Sequence, residues 1–148
     1  TLAILDGQTV TVGKENYIIP IISIIESIQV KPDQVNRVGG QGETFKLRDE
    51  YIPVIKLHEV FGNSDKNLID LSEGLLVIVE ADGEHVGLFV NDLLGQQQVV
   101  IKSLKSNYKK IEGFSGATIL GDGSVALILD MPGILSLNKK LIKQSKAA

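Results

Sequence analysis

The chain has 148 residues, of which 43% are hydrophobic and 22% charged, and carries a net charge of −3. This is the composition of a folded domain, and the length suits one compact unit or two small ones sharing a core. The absence of cysteine excludes disulfides, thiolate metal sites and a cysteine nucleophile, and the acidic balance offers no general attraction to nucleic acid or an anionic membrane surface.

Thr9-Val10-Thr11-Val12 alternates at period two and reads as a strand, with a loop over Gly13 to Asn16 leading into Tyr17-Ile18-Ile19. After Pro20, Ile21 to Ile28 is expected as a short helix crossing one end of a β-unit. Residues 47–57, LRDEYIPVIKL, read as strand, polar turn at Asp49-Glu50 and second strand. Lys56 to Phe61 is expected as one helical turn ended by Gly62, and the polar stretch Asn63 to Ser72 joins the two halves. Leu75–Val79 and Val86–Val90 flank Asp82-Gly83, and Val125–Leu129 follows Asp122-Gly123; in both dipeptides Gly supplies the positive φ of a hairpin turn. These strands are continuously apolar, as expected where both faces are buried. Pro132 suits a first helical position, opening a helix over about 132–143 with Leu137, Leu141 and Ile142 as its apolar stripe and Lys139, Lys140 and Lys143 complementing its dipole. Gln144 to Ala148 is expected to fray.

The second half repeats the first. LGDGSVALILD (120–130) lies on LRDEYIPVIKL (47–57) without a gap, and VIVEADGEHVGLFV (77–90) on VTVGKENYIIPII (10–22) with one extra residue. The repeats, about 8–62 and 74–130, predict two similar, interleaved β-subdomains within a single domain spanning 1–148.

No stretch approaches the length of a membrane span, since the longest apolar run, Tyr17 to Ile25, is broken by Pro20 and Ser23. Asp6 and Gly7 come too early for a signal peptide, and a start at Thr1 suggests a piece of a longer chain. Lack of cysteine suits a reducing cytosol.

Motifs for chemistry fail on spacing. His58 and His85 lie in different repeats without a second ligand nearby, and His58-Glu59 lacks the second histidine of a zinc-protease helix. In Gly113-Phe114-Ser115-Gly116-Ala117 the second glycine follows the serine directly, whereas a nucleophile elbow needs G-x-S-x-G. A hydrolase built on Ser115 would require His85 or His58 beside it. Gly39-Gly40-Gln41-Gly42 lacks the Lys-Ser/Thr of a phosphate cradle, and Asn63, Asp65 and Asn67 have Leu68 where a calcium loop needs Gly. Lys102, Lys105, Lys109 and Lys110 around Tyr108 read as a solvated face, too sparse for an oligonucleotide-binding barrel. No catalytic residue, metal or cofactor is expected. A duplicated β-protein rich in aliphatics points instead to protein binding through the open ends of small barrels.

Five stretches carry a family resemblance over nearly the whole chain: TLAILDG (1–7), YIIPIISIIESI (17–28), LRDEYIPVIKLHEVF (47–61), LLGQQQVVIKSLKSNYKKI (93–111) and GFSGATILGDGSVALILD (113–130). The chain resembles the CheW-like regulatory domain at the C-terminus of the bacterial chemotaxis histidine kinase CheA. The resemblance implies a mainly-β fold of two five-stranded SH3-like barrels around a shared core, with a few short helices. It implies no catalysis in this domain, binding to the CheW adaptor, and coupling of the kinase to the cytoplasmic tips of chemoreceptors in arrays. Other domains of the parent kinase are further implied partners; nucleic acid and direct membrane insertion are not. The implied place is the cytoplasm, at membrane receptor arrays reached through partners. A free-standing CheW-type adaptor is the alternative within the fold, and the TLAILDG junction argues for the kinase. By position, the first subdomain's end supplies the expected adaptor contact, Val38, Phe45, Leu47, Tyr51 and Ile52, with Leu88, Val90 and Leu93 as a second contact.

Overall fold

The computed structural model describes residues 3–30, 34–37, 43–61, 74–103 and 112–147. Strands β1 (Ala3–Val12), β2 (Glu15–Pro20), β9 (Asp92–Ser103), β10 (Phe114–Ile119) and β11 (Val125–Leu129) close a barrel in the order β1-β2-β11-β10-β9. Between the two ends of the chain, β3 (Ile24–Gln29), β4 (Val35–Arg37), β5 (Glu43–Leu47), β6 (Glu50–Lys56), β7 (Leu75–Ala81) and β8 (Glu84–Val90) form a sheet in the order β3-β7-β8-β6-β5-β4. The described residues also form two α-helices, α1 (Leu57–Val60) and α2 (Met131–Ala147).

The two units share one pairing scheme. Each has an antiparallel hairpin, β1–β2 or β7–β8, whose second strand pairs in parallel with β11 or β6 respectively. β11 and β6 then pair antiparallel with β10 and β5. The long β9 bridges β1 to β10 and closes the barrel. In the other unit the same place is split: β3 pairs with β7 and β4 with β5. Five strand positions are thus filled by six strands. Each hairpin joins the sheet of the other repeat, so the repeats interlock.

The faces correct the sequence alignment. Both hairpins turn over two residues, Gly13-Lys14 and Asp82-Gly83, so no extra residue separates them. Asp82 and Gly83 both have positive φ, which asparagine-like and glycine residues tolerate best. Val10, Val12, Tyr17 and Ile19 then correspond to Val79, Ala81, Val86 and Leu88, all in one core cluster. The extra residue belongs to the later β10–β11 turn, where Gly123 N–H donates to Leu120 O and Leu120 N–H to Ser124 O. Ile52 therefore matches Ala126, Ile55 matches Leu129, and Tyr51 matches Val125.

Alternate side chains of the continuous apolar strands enter different cores. Val77, Val79, Val86, Leu88 and Val90 join Val10, Val12, Tyr17 and Ile19 in a shared core between the units. Leu76, Ile78 and Phe89 point the other way, onto Phe45, Ile52 and Val54. Inside the barrel, Ile18 packs on Val99, Ala126 and Ile128. Strands buried on both faces need no polar alternation, which explains their sequence.

The expected helix over Ile21–Ile28 is absent. Only Ile21–Ser23 forms a 3₁₀ turn, after which β3 pairs with β7 and alternates half-buried and exposed positions. β-branched Ile24, Ile25 and Ile28 favour that extended backbone. α1 lies where one helical turn was expected. α2 runs beyond its expected end at 143, to Ala147. It buries Met131, Ile134 and Leu135 in the shared core. At its start Gly133 approaches the Gly113 backbone so closely that an added Cβ would lie 2.8 Å from the Gly113 nitrogen. Tyr17, Phe61 and Phe114 stack at the core's edge, with neighbouring ring centroids 4.7 and 5.0 Å apart.

Candidate partner-binding surfaces

The β5–β6 hairpin carries most of the expected contact residues. Its register sets Phe45 opposite Ile52 and Lys46 opposite Tyr51, and directly opposed residues share a face. The first pair points inward: Phe45 is 2% exposed and Ile52 fully buried. Both belong to the smaller core with Val30, Leu76, Ile78 and Phe89, so neither offers a side chain to a partner. Leu47 is half-buried against that core. Val38 lies outside the described residues.

Tyr51 is the expected residue that stands on the surface, at 59% exposure. Its ring lies beneath the Lys46 ammonium, 5.8 Å from the ring centroid, a distance that gives a modest cation–π attraction. Neighbouring polar contacts define its surroundings. Arg48, with φ of 56° in the turn, places a guanidinium nitrogen 3.7 Å from Glu26 on β3. His85 Nδ1 on β8 lies 3.1 Å from both carboxylate oxygens of Glu50. The hairpin end is thereby tied on both sides while the phenol remains open to solvent.

The expected second contact is not a surface. Leu88 and Val90 are fully buried in the shared core, and Leu93 is half-buried against it. Leu88 and Val90 sit there because β8 runs through the middle of its sheet, between β7 and β6, while Leu93 stands near the start of β9 in the barrel.

Exposed apolar residues lie elsewhere, at places the sequence reading passed over. On the barrel, Ile4 opposes Val100 and Ile119 opposes Val125 across neighbouring strands, and all four are exposed. The β9–β10 ladder pairs Gly116 with Ser103 and Ala117 with Lys102. The two exposed aliphatic pairs therefore lie on adjoining strands of one barrel, on β1–β9 and on β10–β11. Val125, 60% exposed, occupies in the barrel the position that Tyr51 occupies in the other unit. Strand alternation in LGDGSVALILD held the signal, but the ungapped alignment set Val125 on buried Ile52 and hid it. Ile22 and Ile25 are also exposed around the start of β3.

Other features do not assemble a reactive site. His58 Nδ1 is buried without a hydrogen-bond partner among the described residues, and burial pushes its pKa down. His85 is bound to Glu50, and no hydrogen bond joins Ser115 to either histidine among the described residues. No group of three or more His, Cys, Asp or Glu among the described residues is arranged to hold a metal. No described helix is long and apolar enough to cross a membrane. The glycine-rich loop 39–42, the polar joint 63–72 and most of the basic run 102–110 lie outside the described residues.

Comparison with known proteins adds a family. Residues 6–139 match the model of the CheW-like domain. The chain is 40% identical over 148 residues to the chemotaxis protein CheA of Klebsiella aerogenes, covering all of this chain and 22% of that protein. To CheA of Salmonella typhimurium it is 42% identical over 140 residues, covering 95% of this chain and 21% of that protein. The chain thus spans about a fifth of the length of these relatives. Among solved structures, the scaffolding protein TtCheW of Thermoanaerobacter tengcongensis superposes with a TM-score of 0.70 at 19% identity, over 86% of this chain and 90% of that one. That similarity carries the fold.

Proposed function

The chain belongs to the CheW-like domain family, and from this we propose that it is the regulatory and scaffolding domain of a chemotaxis histidine kinase, binding the CheW adaptor through the β5–β6 hairpin end. The observation that carries the site is Tyr51: a large, half-aromatic, half-polar side chain held open to solvent beside the buried Ile52. Aromatic residues of this kind are enriched where protein interfaces form.

Identity of 40–42% to CheA proteins supports the kinase reading over a free-standing adaptor, whose solved representative is 19% identical. The exposed aliphatic residues Ile4, Val100, Ile119 and Val125 take over as the second contact, in place of Leu88, Val90 and Leu93. Two surfaces at equivalent places on the two units allow one domain to hold two protein partners, the adaptor and a receptor tip or another signalling domain. Assembly of that kind places the domain in the cytoplasm at receptor arrays. Its role there is linkage without chemistry of its own: a receptor state that alters its contacts biases the kinase by no more than the difference in binding free energy between the states.

Amide chemical shifts of the labelled chain, titrated with unlabelled CheW adaptor, test the assignment. Shifts centred on Lys46, Glu50 and Tyr51 are expected. Shifts confined to other elements would move the interface, and no shift from a folded chain would remove the function.

A further inference from the structure

We infer that the His85–Glu50 pair makes adaptor binding at the Tyr51 surface sensitive to pH; the inference rests on the adaptor-binding reading above. Glu50 opens β6, immediately before Tyr51, and is opposite Leu47 across the turn. Both its carboxylate oxygens lie 3.1 Å from Nδ1 of His85. This contact spans two hairpins: β5–β6, which carries Tyr51, and β7–β8, whose strands are anchored in both cores.

Imidazole is the side chain that changes charge between about pH 5 and 8. When charged, the ring must donate from Nδ1, and the bond to Glu50 becomes charge-assisted. When neutral, the ring has a proton on only one nitrogen, and the tautomer protonated at Nε2 turns a lone pair toward the carboxylate. The tie between the hairpins is therefore strongest in the protonated state.

The surroundings are acidic. Glu80 on β7 is directly opposite His85, and Glu84 and Asp82 adjoin it along β8 and its turn. Asp82 and Glu84 also border a groove whose far wall, on α2, carries Lys139, Lys140 and Lys143. On the β5–β6 hairpin, Lys46 and Arg48 engage Tyr51 and Glu26. Loss of the imidazolium charge thus leaves Glu50 without its cationic partner at the base of the Tyr51 surface. Protonation holds Glu50 in place, and with it the strand start that presents Tyr51.

The test is adaptor affinity at about pH 6 and about pH 8 for the wild-type chain, His85→Gln and Tyr51→Lys, beside an amide-shift titration of the free chain over the same range. Wild type should bind about two- to three-fold more tightly at the lower pH, as an exposed ion pair allows. His85→Gln should bind with that dependence flattened, and Tyr51→Lys should bind weakly at both. In the free chain the Glu50 and Tyr51 amides should shift over the same pH range, and His85→Gln should abolish that change. An unchanged pH profile in His85→Gln would overturn the inference, as would amides that ignore the ring. Absence of adaptor binding at either pH would overturn the docking reading instead, and the amide titration would still decide whether the switch exists.

Discussion

Phe45, Tyr51 and Ile52 lie within a few residues of one another, yet opposite work is expected of them. Phe45 and Ile52 oppose each other inside the smaller core, so truncation to alanine should cost about 3–5 and about 2–5 kcal/mol respectively. Urea unfolding should register both losses. Tyr51→Lys changes an exposed position and should leave the unfolding midpoint within about 0.5 kcal/mol of wild type. Period-two alternation made the hairpin legible, but the sequence could not say which face was inward, because apolar residues stand on both. Only the pairing of Phe45 with Ile52 decides it. His58 makes a separate prediction. Burial is the main influence holding its pKa below the ordinary 6.5; Lys56 adds to this, while Glu59 and Glu43 oppose it. As pH falls through 6.5 the unfolded chain takes up the proton first, so stability is full above that value and declines below it. His58→Gln should flatten this part of the profile, measured as unfolding midpoints at about pH 7.5 and about pH 5.5.

Among the elements, α2 shows how close packing overrides propensity. An interior helical glycine is ordinarily improved by alanine, by about 1 kcal/mol. At Gly133 the added Cβ would meet backbone atoms of Gly113, at 2.8 Å to its nitrogen and 3.0 Å to its Cα. Gly133→Ala should therefore destabilise the chain by about 1–3 kcal/mol, with amide exchange speeding first in α2 and the Gly113 turn. Pro132 and the lysines marked this helix in the sequence, but nothing local revealed the close approach, which depends on a glycine twenty residues earlier. β3 shows the reverse failure. Pro20 followed by an apolar run suggested a helix, whereas the unpaired edge of β7 offered Ile24 to Gln29 a ladder of hydrogen bonds. Tertiary pairing won over a local signal. β9 escaped notice because the exposed stretch from Leu94 to Gln98 lacks strand-like alternation; its identity comes from β1, with which it pairs over most of its length.

For the whole molecule, the repeat was visible before its geometry was. Two hairpins and two strand–turn–strand units could be matched in the sequence, but the exchange of hairpins between units is written in long-range pairing. That exchange places the shared core across both units, so the two should unfold together: near- and far-ultraviolet transitions of the chain should coincide, and a separate early transition would show units of independent stability. It also sets Tyr51 and Val125 at equivalent places. Val125→Lys should spare adaptor binding if that partner docks at the Tyr51 end, while weakening whichever partner uses the exposed barrel aliphatics.

Calorimetric titration of the chain with the CheW adaptor, repeated with Tyr51→Lys and Val125→Lys, tests the account most directly. Saturable one-to-one binding that falls at least about ten-fold with Tyr51→Lys, a loss of about 1.4 kcal/mol, and persists with Val125→Lys is the predicted result. Binding unchanged by Tyr51→Lys, or no binding by the folded chain, would contradict it.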